Sequence, residues 1–168
     1  MSLLSAFTLF HVLLSLVGIA AGLVALFGFL ASERRERWNQ IFLWSTIATS
    51  VTGFLFPFHG ITPGIVLGVL SLIVLAVALA ARARSLKGAW RKTYVIAATA
   101  ALYFNCFVLV VQSFQKIGPL KELAPTQSEP PFAIAQGVVL IGFVILGILA
   151  VKRFRPEEVV MKARSAGA

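Results

Sequence analysis

The chain has 168 residues, of which 59% are apolar and 12% charged, and its mean hydropathy is +0.93. A water-soluble enzyme domain carries about 25% charged residues and a disordered tail has low hydrophobicity, so both are excluded and the composition points to a membrane protein. The formal charge of +9 would suggest nucleic acid in a soluble domain, but orientation in a membrane explains it, and no nucleic-acid partner is expected.

A spanning helix needs about 20 predominantly apolar residues, because each rises about 1.5 Å through a hydrocarbon core about 30 Å thick. Five stretches qualify. The first, Leu3 to Ala31, contains no Lys, Arg, Asp or Glu. It is followed by Ile41 to Phe58 and, after almost no loop, by Thr62 to Ala81. The prolines at 57 and 63 and the glycines at 60 and 64 place a turn between these two, because proline removes a donor and restricts the residue before it. Thr93 to Gln112 and Phe132 to Val151 complete the set. Residues 113–131 form a proline-rich loop, in which Ile117, Leu120 and Leu123 suit a short amphipathic turn on the membrane surface, and 152–168 are a short basic tail.

The charges orient the five spans. Arg34, Arg35, Arg37, Arg82, Arg84, Lys87, Arg91, Lys92, Lys152, Arg153, Arg155, Lys162 and Arg164 fall on one side, leaving only Lys116 and Lys121 on the other. The positive-inside rule makes the first side cytoplasmic, with the amino terminus outside and the carboxyl terminus inside. Trp38 and Trp90 fall at the cytoplasmic helix ends and Trp44 one turn further in, where an amphipathic ring is favoured near the headgroups. The absence of a basic residue before Arg34 argues against a cleaved signal peptide. The expected fold is an all-α, compact five-helix membrane bundle. Its compactness suggests a bacterial cytoplasmic (inner) membrane. Arg82, Arg84, Lys87, Arg91, Lys92, Lys152, Arg153 and Arg155 are expected to contact anionic lipid headgroups, at about 1 kcal/mol per basic residue near the surface.

Small residues recur at Ser15, Gly18, Gly22 and Ala25 in the first helix and at Gly60, Gly64, Gly68 and Ser71 in the third. Such stripes let helices approach closely in lipid, either within one subunit, which is favoured, or across a homo-oligomer contact.

The chain has no Asp, and its six Glu all lie in connections or the tail, so no intramembrane carboxylate marks an ion path and no acidic cluster suits a hard cation. No catalytic residue is assigned. His11 and His59 lie toward the outer side, where a ring nitrogen can ligate haem or a metal; structural hydrogen bonding is the simpler role. Gln112, Gln115 and Gln136 fall at a similar level, and with the two histidines they make an outer pocket the first candidate site. Midway along the fourth helix, Tyr103, Asn105 and Cys106 form a polar cluster, and the Asn105 amide must find a partner away from water.

Three functional classes follow. The leading one is an accessory, assembly or interaction component, as a homo-oligomer or with a membrane-protein partner, and not an enzyme. The second is a haem- or quinone-associated electron-transfer protein using the outer histidines. The third is an oligomeric transporter or channel for an uncharged solute or lipid.

Overall fold

The computed structural model describes residues 3–56 and 63–156. His59, Gly60, Lys162 and Arg164 lie outside the described residues. The helices are α1 (Leu3–Leu30), α2 (Glu36–Gly53), α3 (Pro63–Ala83), α4 (Ala89–Lys116), the short α5 (Gly118–Leu123) and α6 (Pro130–Arg153). Four of them, α1, α3 from Gly64, α4 and α6, are long and apolar enough to cross a membrane. The protein is an all-α, multi-pass membrane helical bundle.

Side-chain partners fix the directions. Along α1 and α2, His11 meets Thr52 and Gly18 faces Ser45 and Thr46, so the two helices are antiparallel. Between α4 and α6, Gln136 meets Phe107 and Arg91 reaches Phe154, again antiparallel. Tyr94 with Asn39 and Asn105 with Thr46 make α2 and α4 parallel. Arg82 at Glu36 and Gly68 under Phe54 set α3 antiparallel to α2, so α1, α3 and α6 run one way and α2 and α4 the other. Arg34 to Arg37, Arg82 to Lys92 and Lys152 to Arg155 therefore gather at one end of the bundle, which we call the basic end.

The second helix begins at Glu36 rather than Ile41 and ends at Gly53 rather than Phe58. Its start is earlier because Asn39, despite its amide, is buried against the Tyr94 hydroxyl, and Glu36 in the first turn suits the positive end of the helix dipole. It ends sooner because the chain tightens ahead of Pro57: Phe54 N–H bonds to Val51 O at 3.2 Å and Leu55 N–H to Thr52 O at 3.1 Å, both spaced as in a 3₁₀ turn. At the other end of the chain, Pro130 and Pro131 open α6, where proline is preorganised and its missing donor costs nothing.

Two helix ends at the basic end close without glycine. Ser32 has φ 59° and Ser85 φ 56°. After them Glu33 N–H bonds to Gly28 O at 2.8 Å and Leu86 N–H to Ala81 O at 3.3 Å, the 6→1 bond of a Schellman cap. Leu86 is then buried in the same apolar core as Ala81 and Tyr94, drawing the α3–α4 connection over the end of the bundle. The core lies among α1, α2, α3 and α4, with Phe29, Phe42, Leu75, Tyr94 and Leu102 buried in it, and Ala150 and Phe154 join it from the basic end of α6.

Candidate functional site: a polar seam along the second helix

Helix α2 turns its polar side inward. Asn39, Ser45, Thr46 and Ser50 are buried, while Ile41, Trp44, Val51 and, just past its end, Leu55 are exposed. This is the reverse of a water-soluble amphipathic helix, and it lets hydroxyls and amides find partners where lipid offers none.

The seam has three stations. At the basic end, Tyr94 OH donates to Asn39 Oδ1 at 2.7 Å, and Asn39 Nδ2 donates to Arg35 O at 2.9 Å. Arg82 joins them, donating to the Glu36 carboxylate and lying over the Tyr94 ring at 5.7 Å. Burial pushes the Glu36 carboxyl up, but the hydrogen bond and charge of Arg82 outweigh it and hold the group below its ordinary value.

In the middle, Asn105 Nδ2 donates to Thr46 Oγ1 at 3.1 Å. Gly18 forms the floor of this junction: a Cβ there would lie 3.1 Å from Ser45 Oγ and 3.2 Å from Thr46 Oγ1. One turn along, Gly22 is closer still, since a Cβ would lie 2.6 Å from Leu102 Cδ1 and 2.8 Å from Phe42 Cδ2. Both glycines face neighbouring helices of the same chain, as does Gly68, which lies under the Phe54 ring. Gly64 is exposed.

At the far end, His11 Nδ1 lies 2.9 Å from Thr52 Oγ1, and its ring meets Phe56 edge-on at 5.1 Å. The Thr52 hydroxyl is directed at Ala48 O, 2.7 Å away. With its one hydrogen used there, Thr52 accepts from His11, which places the ring proton on Nδ1 and leaves a lone pair on Nε2.

No family model, curated protein or solved structure matches the chain.

The other candidate residues are distributed differently. Gln136 Nε2 donates to Phe107 O at 3.2 Å, Gln115 pairs with Gln127 at 3.4 Å, and Gln112 is exposed. His11 is thus engaged between α1 and α2, and Gln136 between α4 and α6. Tyr103 and Asn105 point apart: Asn105 joins the seam, whereas Tyr103 packs on Phe143 of α6 with ring centroids 5.9 Å apart. Cys106 is half-buried against the apolar core. Among the described residues, no group of three or more His, Cys, Asp or Glu could hold a metal ion.

The basic residues also divide. Arg82 is tied to Glu36 and Tyr94, Arg84 stacks over Trp90 at 4.0 Å, and Arg91 donates to the Phe154 carbonyl. Arg155 N–H donates to Ser32 Oγ at 2.7 Å. Lys87, Lys92, Lys152 and Arg153 are exposed, and the ion pairs among the described residues are Arg35–Glu33 and Arg82–Glu36.

Asn39, Thr46, Thr52 and Tyr94 were not singled out from the sequence. A signal was present: Asn39, Thr46, Ser50 and Gly53 are spaced by seven, four and three residues, which puts them on one helical stripe.

Proposed function

We propose that the chain is a five-span accessory or assembly component of a bacterial-type cytoplasmic membrane, with its amino terminus outside, its carboxyl terminus inside, and α6 as the face that meets a second copy. The observation that carries this reading is the state of α6. Of its 24 residues only Ala150 is buried, and Ile134, Val138, Ile141 and Ile145 form an exposed line along it. A Cβ at Gly137 or Gly142 would meet nothing within 4 Å, so a neighbouring helix has room to approach. Counting α2 as the fifth span is supported by its outward apolar face, since Asn39, Ser45, Thr46 and Thr52 are hydrogen-bonded within the bundle, Thr49 alone of the helix keeping a buried hydroxyl without a partner among the described residues. The inside orientation of the basic end follows the positive-inside rule, and anionic headgroups are its natural neighbours there.

Cysteine crosslinking in native membranes tests the assembly. With Cys106→Ser as background, single cysteines at 134, 138 and 145 are expected to give covalent dimers, and one at Val77 on α3 is not. Dimers no more abundant from α6 than from Val77 overturn the reading. Reporter fusions at both termini and after Lys121 test the topology, and termini on the same side defeat five spans.

An electron-transfer role keeps one feature in its favour, the lone pair that Thr52 leaves on His11 Nε2. A Soret band lost in His11→Ala would decide for it. His59, the second ligand of that reading, lies outside the described residues.

A further inference from the structure

Flanking the exposed line of α6, and meeting it at Ile148 and Lys152, a groove of about 460 Å³ runs between α4 and α6. It is lined by apolar side chains, among them Ile96, Leu140, Val144 and Ile148, with Tyr103 and Phe143 at one end and Lys152 at the other. Two features open it. Gly147, one of its wall residues, has no side chain to fill it, at a point where α6 lies against α4 and a Cβ would already touch Thr99 Cγ2 at 3.4 Å. Ala100 on the facing helix is also small.

We infer that this groove holds one acyl chain of an anionic phospholipid, with the headgroup at Lys152 and Lys92. Length supports the assignment. From Phe143 to Lys152 is about 14 Å at 1.5 Å per residue, close to one leaflet's share, about 15 Å, of a hydrocarbon core about 30 Å thick. The packed rings of Tyr103 and Phe143 stand toward the bilayer centre and Lys152 toward the basic end. Charge supports it as well. Lys152 lays its stem along the groove wall, which leaves its ammonium at the mouth. Lys92 lies one turn beyond Ile96 on the same face of α4, and neither lysine has an acidic partner among the described residues. Arg91, which would compete for the same headgroup, is held on the Phe154 carbonyl. A neutral lipid satisfies the groove but not the lysines, and a soluble anion satisfies the lysines but not the groove.

The inference deepens the expectation of anionic headgroups at the basic end and rests on that end lying at a membrane surface. It does not depend on self-association: lipid retention is read by mass, and self-association by crosslinks, of which those at 134 and 138 lie beyond the groove's far end. The full chain is reconstituted in vesicles of equal phosphatidylglycerol and phosphatidylcholine, extracted in mild detergent and weighed intact by native mass spectrometry. One phosphatidylglycerol retained per chain, in preference to phosphatidylcholine, is the expected result. Lys92→Gln with Lys152→Gln should reduce that preference about thirty-fold, the combined effect of two surface cations on an anionic headgroup. Gly147→Leu should abolish retention of either lipid. Should that variant fail to fold, Val144→Trp, at a position 51% exposed, fills the groove from its outer wall and should do the same. Release of both lipids by the wild type, retention without headgroup preference, or retention unchanged in the groove-filling variant overturns the inference.

Discussion

The contact of α1 with α2 and α4 and the contact of α4 with α6 lie in one small bundle and are built on opposite plans. In the first, Gly18 and Gly22 bring backbones so close that a methyl group at Gly22 would overlap Phe42 and Leu102, and the amide of Asn105 and the hydroxyl of Thr46 are joined inside. In the second, Gly147 borders an open groove, and every residue of α6 but Ala150 is at least partly exposed. Burial of apolar surface cannot explain the difference, because lipid is as apolar as leucine. What separates the two is close packing and paired polar groups. The first contact is therefore the structural one, and the second is left to lipid or a partner.

Glycine replacement should break the contrast most sharply. Gly22→Leu overfills a closed site, and overpacking of this kind costs about 1–3 kcal/mol or more; Gly142→Leu on α6 enters open space and should stay within about 0.5 kcal/mol. Thermal unfolding in detergent compares them directly. Equal losses would mean that α6 is as tightly packed as α1.

Removing one hydroxyl from each region should have a smaller effect. Tyr94→Phe leaves the buried Asn39 carbonyl oxygen without its donor, at a cost of about 1–3 kcal/mol. Tyr103→Phe, on the groove side, keeps the ring contact with Phe143 and should be nearly neutral. The same unfolding measurement ranks the pair, and a reversed order would place the polar anchor on α6.

The weakest effect should be that of acid on the Glu36–Arg82 pair. Since Arg82 holds the Glu36 carboxyl below its ordinary value, the pair's contribution is fully present above that ordinary value and is lost as pH falls through the lowered one. The carboxylate is half exposed, so the contribution is at most about 1 kcal/mol. Wild type and Glu36→Gln should differ slightly in melting temperature at neutral pH and converge in acid. A difference that grows in acid would refute this account.

The helices were largely legible in the sequence because hydrocarbon imposes length and apolarity on whatever crosses it. The basic cluster was legible for a similar reason: charge is costly in that medium, and Arg82 to Lys92 has no other place to go. The boundaries of α2 were harder. An apolar window starts at Ile41 because Asn39 and Gln40 look like connection, whereas Asn39 is carried inside by a tyrosine 55 residues away. Tyr103 and Asn105 are close in sequence yet face different neighbours, since two residues turn a helix through about 200°. The use of Arg82 and Arg91 was not legible at all, because a basic residue at a helix end reads as a headgroup contact until its partner carbonyl or carboxylate is known.

The inward polar side of α2 also bears on how the protein enters its membrane. On the five-span reading, α2 is the span with the least apolar drive of its own, because the amide and hydroxyls that the folded bundle satisfies must be desolvated first. Its partners are Gly18 and His11 on α1, synthesised before it, and Tyr94 and Asn105 on α4, synthesised after it. During biogenesis α2 can therefore settle with α1 as a hairpin, but its amide and hydroxyl bonds are complete only when α4 arrives. The order of the chain thus makes the fourth helix the step that commits the second.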